Sequence, residues 1–458
     1  MRAYDKINSQ FSPDFLFSLL HILDRIMTPS KTSENTTKGM GFLIGYLYFL
    51  FFIMGFISEL GAIGANLAVM LLELIFVFSY WFLFREHFKL RFSEQGRILV
   101  FIIAGWVIWT FISLIYASTP YSKTNYEINQ SLFSLIRSLE YFSHIIFSYS
   151  FYLFVKHSNF KLEKLLLLIP ITALLIAANL FFAWNLHPEI HAPDLWLDNL
   201  PFYMNIRQGG FHAAIGFFVL LGFIYHKHGE EIVKSAAIYS LACAMLIFLF
   251  WTGGRASVLA LYLTLALWLL LLKFHQLKIR NLIAVIFFLS LISIYMSEVL
   301  SVMPWNGMGS AFERSSEAVN VERFSSGRIG MWQFSIDSIA INWLFGLGSD
   351  GYFLADNNPG AFQPHNSVLQ FMMNWGVLGG SLAIIILCLV FKHAYTAYIV
   401  NPNRYSTFGF LTVITMSATS LVDGTLYHGQ TCFYVAVAFA CMFLGDLNAK
   451  NKSGEISA

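Results

Sequence analysis

Residues 235–272 read SAAIYSLACAMLIFLFWTGGRASVLALYLTLALWLLLL, two apolar runs joined by a short link whose one charged residue is Arg255. Each run approaches the roughly 20 apolar residues that an α-helix needs to cross a bilayer core. Neither alternates polar with apolar, so the strands of a closed barrel are excluded and a pair of helices remains. Ten more runs of this kind follow from the rest of the chain, near 41–58, 62–84, 98–116, 138–155, 165–184, 210–226, 282–299, 374–391, 406–422 and 430–446. The pattern predicts an all-α, polytopic membrane bundle of about 12 transmembrane helices.

Composition agrees. Of the 458 residues, 57% are apolar and 12% are charged, about half the charge of a soluble domain, and the mean hydropathy is +0.63. A net charge of +2 does not suit a nucleic-acid partner. The four cysteines, Cys243, Cys388, Cys432 and Cys441, all lie in apolar runs and read as small buried hydrophobes; no metal-ligand spacing occurs among them.

Basic residues orient the bundle. With the N-terminus in the cytoplasm, the outer connections receive Lys123, Arg137, Arg207, Arg255, Arg314, Arg323 and Arg328, and the other 21 of the 28 Lys and Arg fall on the inner side. Both termini are then cytoplasmic. The resulting divisions are an N-terminal segment with an amphipathic helix from Phe11 to Ile26 (1–40), spans 1–9 (41–299), a long outer loop (300–373), spans 10–12 (374–446) and a tail (447–458). Six of the seven outer cations are Arg. Arginines of this kind also snorkel to lipid phosphates or pair with nearby acids. A set of them kept on the disfavoured side instead suggests a use for the guanidinium fork, which grips phosphate or carboxylate through two parallel hydrogen bonds.

Four short outer segments concentrate the chemistry: Asn205–Phe211 (NIRQGGF), Thr252–Ser257 (TGGRAS), Ser325–Gly330 (SSGRIG) and Pro364–Gln370 (PHNSVLQ). The first three set Arg207, Arg255 and Arg328 beside glycine or small residues, where backbone and guanidinium can both approach an anion. Arg255 opens a helix, whose N-terminal amides add to its charge. The fourth supplies His365, either a packed interfacial histidine or a general base active near neutrality, with Asn366 and Ser367 as caps for the following helix. Within the outer loop, Arg328–Asn342 reads as a short helix along the membrane face. Gly346, Gly348 and Gly351 in GLGSDGYF read as a tight turn, because no strand–turn–helix unit surrounds them. Several guanidinium groups with one base suit displacement of a lipid-linked diphosphate, whose departing charge they stabilise.

GGRAS, SSGRIGMW, GLGSDGYF and PHNSVLQFMMNWGVLGG, in this order over residues 250–391, resemble the O-antigen ligase and polysaccharide polymerase superfamily of bacterial inner-membrane proteins. The resemblance implies a GT-C-type glycosyltransferase with a long periplasmic loop between helices 9 and 10 and its active site on the periplasmic side. It implies inverting transfer of O-antigen from undecaprenyl diphosphate to a sugar hydroxyl of lipid A–core, with no metal or other cofactor. Arg255 and Arg328, with Arg207 less closely matched, would hold the diphosphate, and His365 would activate the acceptor. The same superfamily contains polymerases that join lipid-linked repeat units and protein O-oligosaccharyltransferases. A transporter is disfavoured, because Glu73 is the main deeply intramembrane charge. The residues leave open the roles of Glu73, Asp350, Asp356, Asp423 and His428; His212 reads as structural.

Overall fold

Each of the twelve apolar runs has its helix in a computed structural model of the chain. The structure describes residues 33–85, 94–116, 130–158, 160–186, 203, 206–226, 232–272, 277–301, 306–316, 325, 327–355, 358–359, 362–400 and 402–444. The amphipathic stretch Phe11–Ile26, Arg323, Asp356 and the 447–458 tail lie outside them, as does most of the outer segment before Arg207. By its internal contacts the chain divides into residues 1–45, whose described part is the opening of the first helix, and residues 46–458, which hold the rest of that helix and all the others.

In chain order the main helices are α1 (Ser33–Phe56), α2 (Gly61–Leu83), α3 (Glu94–Tyr116), α4 (Gln130–His157), α5 (Leu168–Leu186), α6 (Ile206–Tyr225) and α7 (Ile232–Trp251). They continue with α8 (Arg255–Leu271), α9 (Leu277–Val299), α10 (Gly307–Ser316), α11 (Arg328–Ile341), α12 (Ser367–Val400), α13 (Arg404–Ser420) and α14 (Gly429–Phe443). No strand occurs among the described residues.

Among the described residues, seven helical stretches are long and apolar enough to cross a membrane: Lys38–Leu60, Ile63–Leu83, Arg97–Tyr116, Leu162–Phe182, Ile206–Tyr225, Ile279–Val299 and Ser367–Val400. Ala236–Trp251, Arg255–Leu271 and Gly429–Phe443 are apolar but shorter. The helices at the two remaining positions are more polar. α4 buries Arg137, Glu140 and His144, and α13 buries a row of serines and threonines. The polar groups of both helices point into protein, so hydropathy alone undervalues them.

The outward faces are apolar. Phe101 is 80% exposed, and Phe78, Ile108, Leu259, Phe288 and Tyr295 are also exposed, which suits lipid as the surrounding solvent. Cys432 and Cys441 are buried as expected, whereas Cys388 is exposed on α12, because an apolar residue of a membrane helix is equally at home against lipid. α6 is the most enclosed of the long helices and packs on α5, α7, α8 and α13. α14 joins this group to α2, α4 and α12.

The 300–373 segment contains α10 and α11, the latter over Arg328–Ile341 much as its sequence indicates. GLGSDGYF forms consecutive tight turns, with Gly346, Gly348 and Asp350 at positive φ and Gly351 N donating to Gly348 O at 2.9 Å. α12 departs from expectation. It starts at Ser367 with Asn366 as its cap, as the sequence indicates, Asn366 Oδ1 accepting from Leu369 N at 3.0 Å, but it breaks at Trp375–Gly376.

The 343–347 turn fills that break. Val377 N donates to Trp343 O at 2.7 Å and Leu347 N to Met373 O at 2.6 Å, while Trp109 Nε1 donates to Trp375 O at 2.9 Å. Phe345 stacks on both Trp109 and Tyr116 of α3. Backbone groups freed by the break are thus satisfied from within the protein, as an apolar surrounding requires. Gly376, at φ +69, lies against the Leu344 carbonyl, where a Cβ would collide. These contacts fix the 343–347 turn against α3 and α12, between Arg328 at the start of α11 and His365 just before α12.

Candidate functional site

Two of the arginine-bearing segments meet because glycine lets them. α6 begins at Ile206, so Arg207 lies in its first turn, and α8 begins at Arg255 after Gly253 and Gly254. A Cβ on Gly210 would come within 3.1 Å of Thr252 Oγ1 and 3.2 Å of Ser257 Oγ, so only a bare backbone packs this closely on TGGRAS. Arg328 opens α11 behind Gly327, which holds the left-handed conformation at φ 78.

His365 is one of two described non-glycine residues at positive φ, at 52°. Such strain persists only where its surroundings impose it. Here Pro364 O accepts from Trp332 Nε1 at 3.0 Å, and Asn366 Nδ2 donates to Leu421 O at 3.0 Å. The histidine is therefore held on both sides, by α11 and by the end of α13.

The centre of the site is Asp423, in the 421–428 link between α13 and α14. Its carboxylate is buried. Oδ1 accepts from Gly424 N at 3.0 Å and from His365 Nδ1 at 3.0 Å. Oδ2 faces Arg328 Nη2 at 3.5 Å and Arg207 Nε at 3.8 Å. Burial pushes the carboxyl up, but the His365 hydrogen bond and the charges of Arg207, His365 and Arg328 outweigh it, holding the group well below the usual carboxylate range. An ionised Asp423 makes His365 Nδ1 the donor, so Nε2 is the nitrogen that carries the lone pair whenever the imidazole is neutral.

Arg328 shows that the third arginine is near. Burial lowers its affinity for a proton, Asp423 raises it, and the like charges of Arg207 and Arg255 lower it again, for a net decrease. Its Nε is buried and makes no hydrogen bond among the described residues. The structure thus draws Arg207, Arg328 and His365 around one carboxylate, with Arg255 near enough to Arg328 for their like charges to interact. Guanidinium groups that repel one another while one donor stays unbonded form an arrangement that a multiply charged anion would stabilise.

Two further residues adjoin the cluster. Gln208 Nε2 donates to His428 Nδ1 at 2.9 Å, and burial, countered by Asp423, pushes the pKa of His428 down to about 4. Gln363 Nε2 donates to Gly424 O at 3.4 Å. Glu73 is wholly buried within α2, paired with His144 Nδ1 at 2.8 Å and accepting from Ser143 Oγ at 2.7 Å, so its partner is the neighbouring α4. His212 is buried, with Nδ1 2.9 Å from Tyr203 Oη, as befits a structural residue.

Asp423 is the residue whose place the sequence left open. Its signal was the one that marked the arginines, a charge beside glycine (LVDGTLYHG) in a short outer link between apolar runs. Among the described residues, no group of three or more His, Cys, Asp or Glu is arranged to hold a metal ion.

No curated protein matches the chain. Residues 240–384 match the model of the family described as O-Antigen ligase, a segment that includes Arg255, Arg328 and His365 and stops short of Asp423. Over those residues the resemblance read from GGRAS, SSGRIGMW, GLGSDGYF and PHNSVLQFMMNWGVLGG is borne out as a similarity to the O-antigen ligase family, in a chain whose described residues include seven helices long and apolar enough to cross a membrane.

Proposed function

We propose that the protein is a GT-C-type glycosyltransferase of the bacterial inner membrane that moves O-antigen polysaccharide from undecaprenyl diphosphate to a sugar hydroxyl of lipid A–core. On this reading twelve helices span the membrane, both termini are cytoplasmic and the site faces the periplasm. The observation that carries it is the pairing of His365 with Asp423, whose second oxygen faces Arg328 and Arg207.

Arg255, Arg328 and Arg207 hold the donor diphosphate. The contacts from Arg328 and Arg207 to Asp423 are long, so phosphate oxygens compete well for both forks. His365 Nε2 accepts the proton of the acceptor hydroxyl as its oxygen bonds to the anomeric carbon. The bond from that carbon to the diphosphate oxygen breaks on the opposite face, inverting the centre, and undecaprenyl diphosphate departs with its charge spread over the guanidinium groups. Asp423 keeps Nδ1–H engaged and stabilises the imidazolium until the proton passes to the leaving group or to water.

Purified protein in vesicles, supplied with a lipid-diphosphate-linked glycan, tests this reading. The expected product is glycan joined to lipid A–core. Joining to a second lipid-linked unit instead would make the enzyme a polymerase, transfer to a protein side chain would make it a protein glycosyltransferase, and consumption of no donor with any acceptor would contradict the reading.

A further inference from the structure

His365 and Asp423 come from different parts of the chain, and their 3.0 Å contact needs something that registers one part against the other. One face of α4 does this. Ser134, Arg137 and Ser138 are spaced i, i+3, i+4 and so share one side of the helix. Ser134 Oγ donates to Ser349 O at 2.6 Å, Ser138 Oγ lies 2.8 Å from Ser349 Oγ, and Arg137 Nε lies 2.7 Å from Asp350 Oδ2. These contacts hold the 300–373 segment at the GLGSDG turns, where Asp350 keeps a positive φ of 62°.

The same guanidinium grips the other part. Arg137 Nη2 donates to Tyr427 O at 3.3 Å, and the group lies 4.7 Å over the Tyr427 ring. Asn66 Nδ2 donates to that carbonyl at 3.2 Å, and Asn66 Oδ1 accepts from Gly429 N at 2.6 Å. The link that carries Asp423 is thereby fastened at its far end. Glu140 closes the guanidinium from below, and the buried chain continues through His144 to Glu73. Arg137 is buried and paired with protein carboxylates rather than aimed at a substrate.

We infer that Arg137 is a positioning residue, a common pivot that sets Asp423 against His365 by holding Tyr427 and Asp350 at once. The inference rests on the glycosyltransferase reading for its kinetic consequences but not for its structural ones. A displacement of about 1 Å at a reacting group can cost about 10²-fold in rate. Loss of the pivot lowers kcat and leaves the donor-binding arginines in place.

The test compares wild type with Arg137→Lys, Arg137→Met and Tyr427→Leu, the last removing only the ring under the guanidinium and sparing the buried charges. Amide hydrogen exchange over 421–428 is read on the full-length protein without substrate, and kcat and donor KM are read in the transfer assay. Expected are faster exchange in the link for all three, a fall in kcat of about 10- to 100-fold for Arg137→Met, smaller losses for Arg137→Lys and Tyr427→Leu, and a donor KM within about threefold of wild type. Unchanged exchange in Tyr427→Leu and Arg137→Lys overturns the inference, as does a raised donor KM with kcat intact, which would make Arg137 a donor-binding group. If Arg137→Met does not fold, the other two variants decide. Wild type that transfers nothing defeats the glycosyltransferase reading, while the exchange result still judges the pivot.

Discussion

Asp423 Oδ1 lies 3.0 Å from His365 Nδ1, although 58 positions separate the two residues in the chain. The contact joins the link between α13 and α14 to the end of the 300–373 segment, and it fixes which imidazole nitrogen is free. Replacing Asp423 by Asn keeps the shape and removes the charge. We predict a loss in kcat of about 10²-fold or more, within the range a positioned base contributes, with donor KM unchanged or lower because Arg328 and Arg207 lose a competing carboxylate. Steady-state transfer kinetics check both parts; a raised donor KM with kcat intact would contradict them.

Arg328 meets Asp423 through Nη2 alone, at 3.5 Å, and its buried Nε makes no hydrogen bond among the described residues. Arg328→Lys conserves charge but offers a point cation that cannot reproduce two parallel hydrogen bonds. We predict a loss of about 10-fold or more in kcat/KM for the lipid-diphosphate donor, from the charge-assisted bonds forfeited, each worth about 1.5–3 kcal/mol. Equal activity in the lysine variant would show that fork geometry is not used.

Gly376 is bound to its position by sterics. At φ +69 and against the Leu344 carbonyl, alanine is both strained and without room. Gly376→Ala should destabilise the protein by more than about 1 kcal/mol and expel the 343–347 turn from the break in α12. A thermal midpoint in detergent that equals wild type would refute this.

His428 makes stability depend on pH. Its folded pKa, about 4, lies below the ordinary value, so between roughly pH 6.5 and 4 the unfolded chain binds the extra proton and folding is disfavoured. This contribution is complete above about pH 6.5 and is lost as pH falls through that window. Asp423 does not confound it, because its group titrates below the usual carboxylate range. The thermal midpoint of the wild type should drop from pH 7 to pH 5, and by less in His428→Gln. Parallel pH curves for the two proteins would exclude the effect.

The helices were legible because a bilayer imposes long apolar runs, and each run has its helix. Arg207, Arg255 and Arg328 stood out because glycine and small neighbours let backbone and guanidinium both approach an anion, and His365 because an imidazole among those arginines suits a base. The break in α12 was hidden, because NWGVLGG reads as continuous apolar helix and the groups that fill the break come from residues 343–347. Asp423 carried only the sign of a charge beside glycine, and its place stayed open because it depends on a histidine that only the fold brings near. The polar face of α4 was obscured for the same reason: Arg137 counted as an outer cation until its partners on the GLGSDG turns and on Tyr427 were in place.

The most direct test of the account is transfer from a lipid-diphosphate-linked glycan by purified His365→Ala protein beside wild type, with membrane insertion verified for both. The account predicts intact insertion and donor binding with transfer reduced about 10²–10⁴-fold. Near-normal transfer by the variant would remove His365 from the chemistry and contradict the assignment of this site.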